Sequence, residues 1–203
     1  MLDEWLRTLK ERVLLPVVKA VARTGVSPTQ LTLLGFAFGL GCCGAAAVGR
    51  WWLASALWWA GRILDGLDGS LARFTGQQSD FGGYVDIMCD FVVYSLVPVA
   101  VVWRTEQHSP AAWLTLALLL SSYFVNAAGL FMLSSLLEKR SLQRKLTSVA
   151  MPRGLVEGAE TLVCYQLFLL FPHAITALMA LFCGAVVATI VHRLHWAHGN
   201  LLN

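Results

Sequence analysis

Four aspartates, Asp65, Asp68, Asp86 and Asp90, lie inside two otherwise apolar stretches of this chain. A carboxylate at membrane depth is costly, so acids there are rare and usually functional. Their spacing is informative. Asp65 and Asp68 are i,i+3 and share one helix face; Asp86 and Asp90 are i,i+4 and share another. If the two stretches are antiparallel helices joined near residue 77, Asp68 and Asp86 stand about nine residues from the joint, and Asp65 and Asp90 about twelve or thirteen. The four carboxylates then face one another in two layers, very roughly 10–20 Å from the turn at 1.5 Å rise per residue. Four carboxylates in a low-dielectric place cannot all stay ionised and unpaired. Cations must neutralise them, and an all-oxygen ligand set favours hard ions such as Mg²⁺, Mn²⁺ or Ca²⁺. No histidine lies near the cluster, which argues against zinc. Two ions held by shared carboxylates suit phosphoryl chemistry.

The neighbouring residues fit such a site. Gly66, Gly69, Gly82 and Gly83 remove side chains beside the acids, which leaves room for a bulky ligand. Small residues also serve plain helix packing in membranes. Arg73 is placed to hold a phosphate, or to anchor the helix at the membrane interface.

The elements that must position these residues are membrane helices. The chain has 203 residues, 57% hydrophobic and only 13% charged, with a mean hydropathy of +0.65. Soluble domains carry about 25% charged residues, so a water-soluble globule and a disordered chain are both excluded. The expected fold is all-α: a polytopic membrane protein with six transmembrane helices and an N-terminal amphipathic helix. Spans are predicted at about 29–48, 51–73, 81–103, 110–135, 154–171 and 174–194. Ser27-Pro28-Thr29 reads as a helix start, Gly49-Arg50 as a tight turn, and Pro172-His173 as the turn into the last span. Residues 1–28 form the juxtamembrane segment, either lying in the interface or packed on the protein itself; residues 29–203 form the catalytic domain. With the N-terminus in the cytoplasm, twelve Lys and Arg fall inside and only Arg50 and Arg104 outside. That bias supports both termini and the mouth of the aspartate site facing the cytoplasm. Trp51, Trp52, Trp58 and Trp59 read as interface anchors and lipid-facing packing, and the five cysteines as small packing residues. No cleavable signal peptide and no internal repeat are visible.

From Asp65 to Asp90 the chain reads DGLDGSLARFTGQQSDFGGYVDIMCD. This resembles the signature of the CDP-alcohol phosphotransferases, also called CDP-alcohol phosphatidyltransferases, D-x2-D-G-x2-A-R-x8-G-x3-D-x3-D. All eight fixed positions are present: Asp65, Asp68, Gly69, Ala72, Arg73, Gly82, Asp86 and Asp90. The segment SPTQLT at 27–32 is also similar to the family's approach to its first span, with Thr29 where Asn is common. The resemblance implies transfer of the phosphoryl-lipid part of a CDP-linked donor, CDP-diacylglycerol by default, to an alcohol acceptor with release of CMP. It implies two Mg²⁺ or Mn²⁺ ions on Asp65, Asp68, Asp86 and Asp90, with Asp90 also the general base. Gly69, Ala72, Arg73 and Gly82 would border the CDP moiety. It further implies a homodimer in the bilayer, with no nucleic-acid partner.

For the acceptor, the basic residues Lys145, Arg153 and Arg193 are candidates, by resemblance to relatives that use phosphorylated acceptors such as glycerol 3-phosphate or an inositol phosphate. The same residues also satisfy the positive-inside bias. Glu157 and Glu160 are expected to be structural, pairing with Arg153 or with Arg62, and Arg62, the one cation within a span, is expected to be neutralised by Glu160 or Glu157; contact to a polyol or cationic acceptor is the alternative. Two other functions compete. A Mg²⁺-dependent prenyltransferase would want two separated aspartate-rich motifs in a longer chain. An ion-coupled transporter would want broken helices in repeated halves.

Overall fold

The computed structural model of the protein describes residues 15–144, 154 and 158–201. Helix α1 is described over 15–22; α2 is Pro28–Ala47, α3 Trp51–Thr75, α4 Asp80–Thr105, α5 Pro110–Arg144, α6 Gly158–Leu170 and α7 Ile175–Leu201, with a 3-10 turn at Pro172–Ala174 before α7. The chain divides within α4 into two compact units, residues 1–100 and 101–203.

In the first unit α2 begins as its sequence dictates. Ser27 Oγ accepts from the Gln30 backbone N–H (3.2 Å), and Gln30 Oε1 accepts from the Ser27 N–H (2.9 Å). This reciprocal pair satisfies two helix-terminal donors, and Pro28 pre-sets the first turn. Gly49 (φ 77°) ends the helix, and α3 starts two residues later. The two helices return along each other in backbone contact. A Cβ at Gly35 would stand 3.2 Å from the Gly61 carbonyl oxygen, and one at Gly61 would stand 3.1 Å from that of Gly35. This close approach fixes the register that sets Thr32 against Asp68. Gly76 (φ 68°) then closes α3 in the left-handed conformation, and Ser79 Oγ accepts from the Gly82 N–H (3.0 Å) at the start of α4. The turn predicted near residue 77 is therefore the link 76–79. In α1, Val18 is buried with Leu31, Leu67 and Leu71, while Leu15 and Val17 stay exposed. The described part of the N-terminal segment thus packs one face on the protein and leaves the other open.

In the second unit α5 and α7 run in the same direction. Arg193 on α7 donates to Asn126 on α5 (2.8 Å), and Arg140, further along α5, donates to the carbonyls of Asn200 and Leu201 at the end of α7. Tyr123, Tyr165, Phe168 and Phe182 form an aromatic cluster with ring centroids 5.2–6.2 Å apart.

Among the described residues, four helices are long and apolar enough to cross a membrane: Pro28–Ala47, Asp80–Thr105, Pro110–Arg140 and Pro172–Leu201. Phe124 (75% exposed) and Leu181 (74%) point large apolar surface outward, as lipid contact requires and water would penalise. The protein is a polytopic membrane protein. One boundary departs from expectation. Helix α5 continues to Arg144, because the segment LLEKRSLQR is rich in strong helix formers and leaving the membrane does not end a helix. Helix α6 is described over Gly158–Leu170, 13 residues that lie within the predicted span.

Candidate active site

Asp65 and Asp68 stand on the second half of α3, and Asp86 and Asp90 on the first half of α4, with the link 76–79 between them. The structure brings the four together: Asp65 lies within hydrogen-bonding reach of both Asp86 and Asp90, and Asp68 is close enough to interact with Asp65 and Asp86. The two predicted layers exist. Asp68 and Asp86 line an open cleft on the side of the link, and Asp65 and Asp90 lie behind them beside Arg62.

Each carboxylate has its own surroundings. Asp68 is buried and accepts from the Thr32 hydroxyl through Oδ2 and from the Gly69 N–H through Oδ1, each at 2.5 Å. Asp90 Oδ1 accepts from Arg62 Nη1 at 2.5 Å, and Asp65 Oδ1 lies 3.6 Å from the same nitrogen. Asp86 Oδ1 is buried with no hydrogen-bond partner among the described residues. As they stand, no three acids among the described residues converge as ligands of one ion, since Thr32 and Arg62 engage two of them. The donor set nonetheless fits a hard divalent cation. The candidate donor atoms are all carboxylate oxygens, and Asp86 Oδ1 is a buried acceptor with no donor among the described residues to satisfy it.

The cleft is built from the start of α2, the end of α3, the link and the start of α4. Gly69, Ala72, Arg73 and Gly82, the residues predicted to border the nucleotide, all line it. The glycines give it width. A Cβ at Gly83 would meet nothing within 4 Å, and one at Gly69 only the Arg73 guanidinium at 3.5 Å. Both positions open onto free space and are not needed for helix packing. Arg73 sets a cation at the wall, its Nη2 3.4 Å from Ser70 Oγ. A pocket with carboxylates at its inner end, small residues along its sides and an arginine on its wall suits a phosphate-bearing ligand bridged to metal.

Arg62 corrects the sequence reading. Its acidic partners in the structure are Asp90 and Asp65, where Glu157 and Glu160 were expected. Asp65 is one turn along the same helix, and Asp90 faces it from α4, so the nearest acids are those of the site itself. Trp58 is likewise no lipid-facing anchor: it is fully buried, with the Arg62 guanidinium 5.3 Å from its ring centroid.

Thr32 was not recognised as a site residue, although counting back through the Gly49 turn places it opposite Asp68. It is half of a buried hydrogen bond to a charged group, a contact worth about 1.5–3 kcal/mol. Thr32→Val keeps the shape and removes the donor. It is expected to raise the Mn²⁺ concentration for half-maximal activity about 5-fold or more, measured by titrating the metal in a CMP-release assay. A lowered requirement would mean that Thr32 competes with the ion.

Arg193 is held by Asn126, and its Nε is buried without a partner among the described residues. Lys145, Arg153 and Glu157 lie outside the described residues.

Comparison with known proteins agrees with this geometry. The chain is 33% identical to inner membrane protein YnjF of Escherichia coli K12 over 178 residues, covering 85% of this chain and 83% of the relative. It is 33% identical to the archaetidylinositol phosphate synthase of Pyrococcus horikoshii over 109 residues, covering 53% and 56%. Its fold is similar to that of the Mycobacterium tuberculosis phosphatidylinositol phosphate synthase solved with CDP-DAG bound, with a TM-score of 0.69 at 23% identity, over 91% of this chain and 92% of that one. The same mycobacterial protein, solved with manganese and citrate, gives 0.67 over 89% and 86%. The sequence profile of the CDP-alcohol phosphatidyltransferases matches residues 25–197, from before α2 to near the end of α7. With the profile and a relative both matching most of the chain, the protein is a membrane enzyme of the CDP-alcohol phosphatidyltransferase family.

Proposed function

We propose that the protein transfers the phosphatidyl group of CDP-diacylglycerol to a phosphorylated polyol of the inositol phosphate class, releasing CMP. The observation that carries the reading is the cleft that joins Asp68 and Asp86 to Gly69, Ala72, Arg73 and Gly82. In this reading the diphosphate lies along the wall bearing Arg73, and Gly69 and Gly82 let it approach the helix backbones. Asp65, Asp68, Asp86 and Asp90 would hold two Mg²⁺ or Mn²⁺ ions, which when bound neutralise the diphosphate and the departing phosphate. Asp90 takes the proton of the acceptor hydroxyl. The new O–P bond forms as the bond from phosphorus to the CMP oxygen breaks, and CMP leaves with that electron pair. Such a displacement needs in-line placement and charge neutralisation more than covalent help.

The acceptor class rests on two supports. Relatives over much of this chain are named for inositol phosphate products. Arg193 offers a buried N–H with no partner among the described residues, and Lys145 and Arg153 are proposed with it as the acceptor-binding residues on their charge alone. We read α3 and α6 as spans as well, which gives six spans and both termini on the cytoplasmic side. Helix α3 would tolerate Arg62, Asp65, Asp68 and Arg73 because they face the site. A homodimer follows from family resemblance.

The test is release of labelled CMP from CDP-diacylglycerol with Mn²⁺ or Mg²⁺ and a panel of acceptors: inositol phosphate, glycerol 3-phosphate, inositol and serine. Inositol phosphate is expected to be the best acceptor. Arg193→Gln is expected to raise its KM about 10-fold or more, since a hydrogen bond to a charged group is lost, with the donor KM unchanged. Equal rates with inositol and inositol phosphate would overturn the phosphorylated acceptor. No CMP release with any acceptor would overturn the reading itself.

A further inference from the structure

Arg62 is a cation of the first unit held by groups from both α3 and α4. It is buried, with Nη1 donating to Asp90 Oδ1 (2.5 Å) and lying 3.4 Å from Tyr94 Oη and 3.6 Å from Asp65 Oδ1. Its guanidinium carbon stands 5.3 Å from the Trp58 ring centroid and 5.4 Å from that of Tyr94; the two rings are themselves 6.0 Å apart, inclined at 60°. The spacing behind this is regular. Trp58, Arg62 and Asp65 follow at one-turn intervals on α3, and Asp90 and Tyr94 at one turn on α4.

A buried ion pair is a weak source of stability; a well-packed apolar pair of the same volume often does as well or better. The cost of an arginine at this depth therefore points to another use. Its position supplies one. Arg62 contacts Asp90, the residue assigned as base, from the side of the cluster away from the cleft lined by Asp68 and Asp86. We propose that Arg62 is the positioning residue of the base: it holds Asp90 Oδ1 and so fixes the orientation in which the carboxylate meets the acceptor's proton. This rests on the assignment of Asp90 under the proposed function.

The chemistry suits the role. A guanidinium presents only donors and keeps its protons, so it orients the carboxylate without competing for the proton being transferred. Two aromatic faces and a phenol hold its plane, which leaves Asp90 Oδ1 a single fixed partner direction. Lysine at this position would keep the charge and lose both the planar fork and the stacking.

The experiment is a double-mutant cycle on the full-length protein in detergent, with CDP-diacylglycerol, Mn²⁺ and inositol phosphate. It compares the parent, Arg62→Lys, Asp90→Asn and the double variant. Calorimetric titration with Mn²⁺ in the absence of lipid donor is run alongside. Arg62→Lys is expected to lower kcat about 10- to 100-fold, because a misplaced group costs on that order. The donor KM and the Mn²⁺ affinity should stay within about threefold of the parent, as for a residue acting on the chemical step alone. In the Asp90→Asn background the same change is expected to cost less than about twofold, because the route through Asp90 is already lost. An equal loss in both backgrounds would overturn the proposal, as would a fall in Mn²⁺ affinity that matches the fall in kcat. If Asp90→Asn keeps the parental kcat, the base assignment fails and the proposal with it. If only Arg62→Lys is silent, the proposal alone fails. Should Arg62→Lys not fold, Tyr94→Phe keeps the ring and removes the phenol oxygen. It is expected to lower kcat about threefold in the parent and not in Asp90→Asn.

Discussion

Asp86→Asn is expected to abolish CMP release, by about 10³-fold or more, the scale on which removing a preorganised charge-stabilising group acts. The argument begins from one atom. Asp86 Oδ1 is buried and has no hydrogen-bond donor among the described residues. A buried acceptor without a partner is costly, and a carboxylate more so than an amide. The natural partner for such an oxygen in an all-carboxylate cluster is a divalent cation. Replacing the carboxylate by an amide keeps the volume and removes the charge that would bind the ion. The loss should therefore appear in metal binding before chemistry. Mn²⁺ is expected to raise the thermal unfolding temperature of the parent, because a ligand that binds only the folded state stabilises it by mass action. Asp86→Asn should lose that increment along with turnover. Asp65→Asn and Asp68→Asn are expected to behave alike, with Asp68→Asn also disturbing the Thr32 contact. Near-parental activity of any of the three at low Mn²⁺ would remove that residue from the ligand set.

Much of this site could be read from spacing alone. The i,i+3 and i,i+4 pairs and the short link between α3 and α4 suffice to place four carboxylates in two layers, because a helix hairpin leaves little freedom in register. The capping box at Ser27 and the left-handed glycines at 49 and 76 are local signals, and the structure uses them as their chemistry requires. Arg62 was harder. Reserving the aspartates for ions made glutamates far along the sequence look like its partners, yet a buried guanidinium is neutralised by whichever acid lies within one turn or directly across. Those acids are Asp65 and Asp90. Thr32 escaped because a lone threonine near a helix start carries no signal of its own. Its role exists only once Gly35 and Gly61 bring α2 against α3. The length of α5 escaped because hydropathy marks where the membrane ends, whereas Leu, Glu, Lys and Arg continue a helix beyond it.

Asp90→Asn is expected to separate binding from chemistry. The asparagine keeps an oxygen that can accept from Arg62 Nη1, so the packing of Trp58, Arg62 and Tyr94 has no reason to collapse. Asp68 and Asp86 still line the cleft, and Arg73 still stands on its wall. The donor should therefore bind in the presence of metal with an affinity near that of the parent. Turnover is a different matter. The acceptor hydroxyl must lose its proton as it attacks phosphorus, and an amide cannot take it. General bases contribute about 10²–10⁴-fold, and single-turnover CMP release is expected to fall by that amount. Asp65→Asn should differ, losing donor binding and turnover together, because its charge belongs to the ions and not to the proton. Measuring donor affinity by titration beside single-turnover release, for both variants, separates the two roles. If Asp90→Asn loses donor binding as completely as Asp65→Asn, Asp90 is chiefly a metal ligand. Arg62 would then be orienting a ligand rather than a base, and the proton would have to leave through another group near the acceptor.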